Sequence, residues 1–167
     1  MYRLRELERR DMALINQWRN DSELISCLGA PYRYINPEVD DQWYNSYMHS
    51  RNNTVRCVIV GENDEALGLV SLTGIDSVNR SASLHIMIGP SQYRGKGAGT
   101  FALRTMIDHA FFNLNLRRIE LNVLETNTVA LHLYEKLGFV REGKKREAVY
   151  KNGAYVDMIV MGLLRHV

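Results

Sequence analysis

A glycine-rich stretch, GPSQYRGKGAGT at residues 89–100, has the residue types and spacing that most clearly suggest chemistry. Three glycines alternate with other residues, Arg94 and Lys96 bring positive charge, and a helical pattern follows. Glycines let a backbone turn tightly and let a ligand approach its amides closely. Amides at the start of a helix, aided by the helix dipole, bind anions such as phosphate. The stretch therefore predicts a phosphate site, and a plain glycine-rich turn before a core helix is the alternative.

Two common phosphate-binding motifs do not match this stretch. A P-loop requires Gly, four residues and then Gly-Lys-Ser/Thr, but Pro90 stands at the first glycine and Gly97 follows Lys96. A dinucleotide fingerprint that begins at Gly95 requires glycine where Thr100 stands. These mismatches disfavour a nucleotide kinase or a dehydrogenase. The spacing of cysteine and histidine residues does not indicate a metal site.

Composition restricts the class of protein. The 167 residues are 46% hydrophobic, enough for one core, so we expect a single domain over residues 1–167. The net charge is +2 without any basic run, which argues against nucleic-acid binding. The first residues, MYRLRELERRD, lack the apolar segment of a signal peptide, and no apolar run is long enough to span a membrane. Two cysteines fit a reducing compartment, so we expect a cytoplasmic protein.

The apolar pattern of the chain predicts the elements that must position the loop. Alternation predicts seven strands, over YRLREL, TVRCVIV, LGLVSLTGI, SASLHIMIG, RRIELNVL, FVREGKKREAVY and AYVDMIVMGLL. Helical spacing predicts four helices: one from Met12, one over INPEVDDQWYNSYM, one after the glycine loop and one ending at Gly138. The fold class is therefore α/β (α+β), a mostly antiparallel sheet with one strand–helix–strand crossover.

Polar residues predict where these elements begin and turn. Asp11 and Asn36 are placed to cap the first two helices, and Thr126 or Asn127 is placed to cap the last. Asn152-Gly153 predicts a tight hairpin turn between the last two strands.

Two segments resemble one enzyme family. QYRGKG at 92–97 resembles the Q/R-x-x-G-x-G/A signature of the GCN5-related N-acetyltransferases (GNAT), and LETNTVALHLYEKLGFVREG, with Asn127 and Tyr134, is similar to a later part of the family pattern. The chain resembles in particular the bacterial branch of spermidine, ribosomal-protein and nucleotide-amino-sugar N-acetyltransferases. The resemblance covers nearly the whole chain. It implies a GNAT fold with about seven twisted strands, a splay between strands 4 and 5, and about four helices.

The resemblance implies acetyl-coenzyme A (acetyl-CoA) as the cosubstrate and no metal. The pyrophosphate of acetyl-CoA would lie against the glycine-rich loop, at Arg94, Gly95, Lys96, Gly97, Ala98, Gly99 and Thr100. The backbone of Ile86, Met87 and Ile88 would face the pantetheine arm and the thioester, with Asn127 and Lys136 as further contacts. Each has a structural alternative, because residues 86–88 can be an ordinary core strand, Asn127 a helix cap and Lys136 a solvated surface lysine.

The catalytic residues follow from the same resemblance. Tyr134 would protonate the departing thiolate, although its helical spacing also fits a core position. Many relatives carry a glutamate in strand 4, in a pattern like R-x-A-E-L-G-I, and Ser83 stands at that position here. The general base is therefore His85, Glu125 or a water molecule held by backbone carbonyls.

The acceptor is the least defined part of the site. The family forms its acceptor cleft from the two N-terminal helices and the last hairpin, which makes Arg19, Tyr32 and Trp43 candidates. Arg19 suits an anionic substrate group, whereas Asp40 and Asp41 suit a cation. We expect a primary amine of a small molecule, either a polyamine or a nucleotide-linked amino sugar. A protein N-terminus is the alternative acceptor, and a non-catalytic acetyl-CoA-binding module is the alternative to an enzyme. The resemblance also allows a homodimer, which is common in this branch.

Overall fold

A computed structural model describes residues 1–166 of the chain. Its strands are β1 Arg3–Glu6, β2 Val55–Val60, β3 Ala66–Asp76, β4 Ser81–Ile88, β5 Arg118–Leu124, β6 Val140–Lys151 and β7 Ala154–Leu164. Its helices are α1 Met12–Arg19, α2 Ser22–Ser26, α3 Pro37–His49, α4 Ala98–Asp108 and α5 Thr128–Lys136. Within residues 1–166, no helix combines the length and apolar character that crossing a membrane requires.

The seven strands form one sheet in the order β1-β2-β3-β4-β5-β7-β6. All neighbours are antiparallel except β4 and β5, which the α4 crossover joins in parallel. That pair is short, because only residues 81–83 of β4 face residues 118–120 of β5. Beyond this point β4 keeps pairing with β3, and β5 with β7, so the two strands diverge. The predicted sheet, crossover and splay are confirmed.

Strand alternation places apolar residues on both faces of the sheet. Val58 points to one face and packs with Ile15 and Trp18 of α1, while its neighbour Ile59 points to the other face. There it joins a larger core that includes Leu103 of α4. Because successive side chains of a strand point to opposite faces, one strand supports both cores. The sheet is therefore packed against a core on each face.

Several predicted caps and turns are confirmed. The side-chain oxygen of Asn36 accepts a hydrogen bond from the Val39 amide (3.1 Å), and that of Asn127 accepts one from the Ala130 amide (3.2 Å). Asn152 and Gly153 have φ values of 51° and 83°, the two positive values of a type I′ hairpin turn.

Two details differ from the sequence-based expectation. Asp11 does not cap α1 with its side chain; its carboxylate accepts hydrogen bonds from Arg5 and from the Glu8 amide instead. The second difference is a fifth helix, α2, which has five residues and is capped by Asp21. A segment this short is less than two helical turns, so it carries no readable helical period.

Candidate active site

The splay between β4 and β5 opens a cleft of about 510 Å³. Its walls are residues 83–87 of β4 and 121–124 of β5, and residues 27–30 lie across it. Because β4 pairs with β5 only over residues 81–83, backbone groups of residues 84–88 on the cleft side lack a strand partner. Such exposed peptide groups can hydrogen-bond an extended ligand that enters the cleft.

Tyr134 lies in this cleft because α5 follows β5 directly. The helix begins at the Asn127 cap, and both residues line the cleft. The Tyr134 ring packs edge-on against Phe139, with 5.8 Å between the ring centroids. Burial raises the pKa of Tyr134 to about 12, so its hydroxyl keeps its proton at neutral pH. A protonated hydroxyl in an apolar wall can donate a hydrogen bond or a proton to a developing anion.

His85 lies on the opposite wall of the cleft, in a row of three cross-strand neighbours. Arg56 of β2 pairs with Ser71 of β3, and Ser71 pairs with His85 of β4. The His85 Nε2 atom is 2.9 Å from the Thr73 hydroxyl. His85 is exposed as a whole residue, yet partial burial of its ring lowers its pKa, and the charge of Arg56 lowers this pKa further. Neutral imidazole is the form that a general base requires.

The glycine loop precedes α4 with its amides open to solvent. Gly95 and Gly97 adopt positive φ values of 73° and 92°, which side chains with a Cβ atom rarely adopt, and nothing lies within 4 Å of the Cβ positions. Gly97 is the N-cap residue and no side chain caps the helix, so the first amides of α4 remain available. The Tyr2 hydroxyl donates a 2.8 Å hydrogen bond to the Lys96 carbonyl and ties the loop to the N-terminal segment.

Comparison with known proteins identifies the family. A family model described as an acetyltransferase (GNAT) domain matches residues 2–140. The chain belongs to the GNAT family. A spermidine N(1)-acetyltransferase of Vibrio cholerae is 35% identical over 163 residues, which are 97% of this chain and 92% of that protein. A spermidine N(1)-acetyltransferase of Escherichia coli K12 is 34% identical over 165 residues, 98% of this chain and 86% of that protein.

A solved structure agrees with these relatives. The crystal structure of spermidine N-acetyltransferase from Vibrio cholerae in complex with CoA and spermine has a TM-score of 0.91 and 34% identity. The match covers 98% of this chain and 95% of that chain. The family match and the relatives establish that this GNAT chain is an N-acetyltransferase.

The GNAT cleft brings together seven of the eighteen site residues predicted from the sequence. The predicted residues that line it are Arg19, Trp43, His85, Ile86, Met87, Asn127 and Tyr134. Ile88 and Lys136 do not line it in the described part of the chain, and the glycine loop lies outside the enclosed volume. A ligand in the cleft would have to extend along β4 to reach the loop.

Two predicted site residues point elsewhere. The Glu125 carboxylate lies 2.5 Å from Lys144 of β6, so it is already paired with a cation and does not line the cleft. This placement disfavours Glu125 as the general base and leaves His85 or a water molecule held by backbone carbonyls. The Tyr32 hydroxyl donates to the Asn20 carbonyl, and its ring packs against Tyr34 outside the cleft lining. We find no support for a direct substrate contact by Tyr32.

The side of the cleft next to α1 and α3, called the acceptor side here after the family expectation, contains an arginine that the sequence analysis missed. Arg56 lies over the Trp43 ring, 4.6 Å from its centroid, and Arg19 lies 5.8 Å from the same centroid. Arg19 is ion-paired with Asp40, whose side chain is fully buried and also accepts a hydrogen bond from Asn16. Asp40 is thus occupied and cannot attract a cationic substrate. The available signal for Arg56 was a charged residue inside the otherwise apolar strand TVRCVIV.

The described residues do not form a metal-binding cluster. Among residues 1–166, no group of three or more His, Cys, Asp or Glu side chains is placed to hold a metal ion. The side chains that line the cleft offer protons, hydrogen bonds and positive charge.

Proposed function

We propose that this chain transfers the acetyl group of acetyl-CoA to a primary amine of a small molecule, with both substrates bound at once. The observation that carries the proposal is the pair of residues across the splayed strands. Neutral His85 and protonated Tyr134 line one cleft, between strands whose backbone groups are free to bind an extended ligand. The solved relative that binds CoA has the same fold.

The reaction needs one proton acceptor and one proton donor. The new bond forms between the amine nitrogen and the acetyl carbon, and the bond between that carbon and the sulfur of CoA breaks. His85 takes the proton that the amine nitrogen loses. Tyr134 gives its proton to the leaving thiolate, because negative charge develops on the sulfur as its bond to carbon breaks and Tyr134 is a protonated donor in the wall of the cleft. Proton exchange with solvent restores both side chains.

The glycine loop supplies binding rather than bond breaking. The amides at the start of α4, with Gly95 and Gly97 in conformations that expose them, would hold the pyrophosphate of acetyl-CoA. Arg94 and Lys96 add positive charge beside these amides. The backbone of β4 residues 86–88 would carry the pantetheine arm from the loop to the cleft. The proposal includes no metal ion.

Polyamines are the acceptor class that the relatives support, because the spermidine acetyltransferases align over nearly the whole chain. A second class, small amines with an acidic group such as nucleotide-linked amino sugars, is favoured by Arg56, because the other arginine beside Trp43, Arg19, is already ion-paired with Asp40. A protein N-terminus is a third class. The two unpaired cysteines, Cys27 and Cys57, support a cytoplasmic location for the enzyme.

The deciding experiment measures CoA release from acetyl-CoA with a panel of acceptors. The panel contains spermidine and spermine, nucleotide-linked amino sugars and short peptides with free N-termini. We expect turnover with a small-molecule amine, and the size of kcat/KM across the panel ranks the classes. Turnover with peptides alone would replace the proposed acceptor. A protein that binds acetyl-CoA and releases no CoA with any amine would instead be a non-catalytic binding module.

A further inference from the structure

We propose that the acceptor side of this cleft contains an anion-binding subsite centred on Arg56, so that the preferred amine carries a phosphate or a carboxylate. The inference rests on the proposed function, because the subsite is part of the same cleft. It departs from the relatives, whose names specify the cationic acceptor spermidine.

Arg56 is a guanidinium without a counter-charge. Its Nε atom is buried and has no hydrogen-bond partner, and its Nη1 atom reaches only the Ser71 hydroxyl, at 3.4 Å. Within residues 1–166, no carboxylate lies within ion-pair distance of Arg56. A partly buried guanidinium stays charged and needs a partner, since removing it from water is costly. The arrangement is therefore completed by an anion that enters from the cleft.

Arg56 is held in place, which a binding residue requires. It lies over the Trp43 ring on one side and within 6.0 Å of the Tyr47 ring centroid. Both aromatic residues belong to α3, so the helix fixes the guanidinium against the sheet. A guanidinium that is already ordered loses little conformational freedom when it binds, and it can bind a phosphate or a carboxylate with two hydrogen bonds.

The distance from Arg56 to the reaction centre fits a small amine. Arg56, Ser71 and His85 occupy neighbouring positions on three adjacent strands. Two strand spacings separate Arg56 from His85, which is roughly 10 Å. An acidic group on Arg56 and an amine beside His85 can therefore belong to one small molecule. The effect of Arg56 on the pKa of His85 agrees with this proximity.

The remaining charges of the cleft also favour an anion. Arg19 contributes a second guanidinium, but buried Asp40 neutralises it, so Arg56 leaves the acceptor side positive. No aspartate or glutamate is among the described residues that line the cleft. A polyamine keeps at least one ammonium group after its reacting amine loses a proton. That group would meet an uncompensated guanidinium and no carboxylate, which is unfavourable in a partly desolvated cleft.

The test compares amines that differ only in their acidic group. Lysine and cadaverine differ by a carboxylate, and phosphoethanolamine and ethanolamine differ by a phosphate; spermidine is the reference polyamine. In the unaltered enzyme we expect the acidic member of at least one pair to have a kcat/KM about tenfold higher or more. Arg56→Met should remove most of this preference, and Arg56→Lys should keep part of it. The pair that shows the preference identifies the acidic group.

A matched control separates binding from support of the fold. Arg9→Met removes another arginine that stacks on α3, over Tyr44 at 4.9 Å, but Arg9 does not line the cleft. The Arg9→Met change should leave unchanged the ratio of kcat/KM for each acidic amine to kcat/KM for its neutral counterpart. If Arg56 only supports the fold, Arg56→Met lowers activity with every acceptor equally and the ratio stays the same, which would overturn the proposal. A higher kcat/KM for spermidine than for every acidic amine would also overturn it.

A binding measurement tests the subsite without turnover. Inorganic phosphate is titrated into the CoA-saturated protein, so that CoA occupies its own phosphate sites. We expect the nuclear magnetic resonance signals of cleft residues to shift in the unaltered and Arg9→Met proteins, and not in Arg56→Met. Equal shifts with and without Arg56 refute the subsite. Because no acetyl group moves in this experiment, its result is independent of whether the proposed transferase activity is found.

Discussion

Tyr134 fits two roles from the sequence alone, a core packing residue and a proton donor, and its surroundings bear on both. Its position on α5 fits the apolar stripe of that helix, and its ring does pack against Phe139. Tyr134 nevertheless lines the cleft, and burial raises its pKa to about 12. The ring is therefore packed beside the core at the wall of the cleft, so a packing role and the proposed catalytic role are compatible.

We expect Tyr134→Phe to lower kcat by at least about tenfold, because a positioned acid typically contributes two orders of magnitude or more. The change removes one oxygen atom and keeps the ring that packs on Phe139. The affinity for acetyl-CoA, measured by calorimetry, should stay the same, as should the unfolding temperature. A variant with full turnover would remove Tyr134 from the mechanism and transfer its role to solvent.

Helices and strands were the level at which the sequence was most informative. The alternation of LGLVSLTGI and SASLHIMIG predicts two strands that pair as expected, and Asn36 and Asn127 cap the helices predicted for them. These signals are local, so neighbouring residues suffice to define them. Asp11 was misassigned because its carboxylate has a better partner in Arg5, which no local pattern reveals.

The cleft was less predictable because distant segments build it. Residues 27–30 lie against it where Lys151 donates hydrogen bonds to the Ile25 and Ala30 carbonyls and Asn127 donates one to the Cys27 carbonyl. These contacts join residues 100 or more positions apart in the chain. The family resemblance could place Tyr134 and the glycine loop, but not the row of side chains that includes Arg56.

The contact between the N-terminal segment and the glycine loop leads to a prediction about binding. The Tyr2 hydroxyl holds the Lys96 carbonyl, and the Tyr2 ring packs 5.9 Å from that of Phe101 in α4. We expect Tyr2→Phe to keep the ring contact, lose the hydrogen bond and loosen the loop. One neutral hydrogen bond corresponds to about 0.5–1.5 kcal/mol, so the KM for acetyl-CoA should rise about two- to tenfold with kcat nearly unchanged.

Tyr155→Phe is the matched control for this prediction. It removes a hydroxyl from an exposed tyrosine of the β6–β7 hairpin, away from the loop, and should leave both constants unchanged. A fall in kcat without a change in KM for Tyr2→Phe would mean that the loop does not depend on this bond.

The molecule as a whole depends on how its N-terminal strand is attached. β1 pairs only with β2, so it is an edge strand, and two arginines of β1 form ion pairs of different burial. The Arg5–Asp11 pair has side chains 15% and 5% exposed, whereas those of Arg3–Asp64 are 55% and 59% exposed. Buried charges are costly to leave unpaired, but exposed pairs contribute little to stability. Only the Arg5–Asp11 pair should contribute measurably to the free energy of unfolding.

Lowering the pH should show that the Arg5–Asp11 pair stabilises the protein and that the Arg3–Asp64 pair does not. Burial raises the pKa of Asp11, but the hydrogen bonds from Arg5 and the Glu8 amide outweigh burial and hold the pKa below its ordinary value of 3.8. A carboxyl with a lowered folded-state pKa stabilises the protein above about pH 3.8 and loses this effect as the pH falls through the folded-state value.

We expect Asp11→Asn to lower the free energy of unfolding by about 1–3 kcal/mol at pH 7. Urea unfolding near pH 3 should show a smaller difference from the unaltered protein, and Asp64→Asn should match that protein at both pH values. An Asp11→Asn deficit that is equally large in acid would mean that the lost side-chain geometry, rather than the ionised carboxylate, attaches β1 to the start of α1.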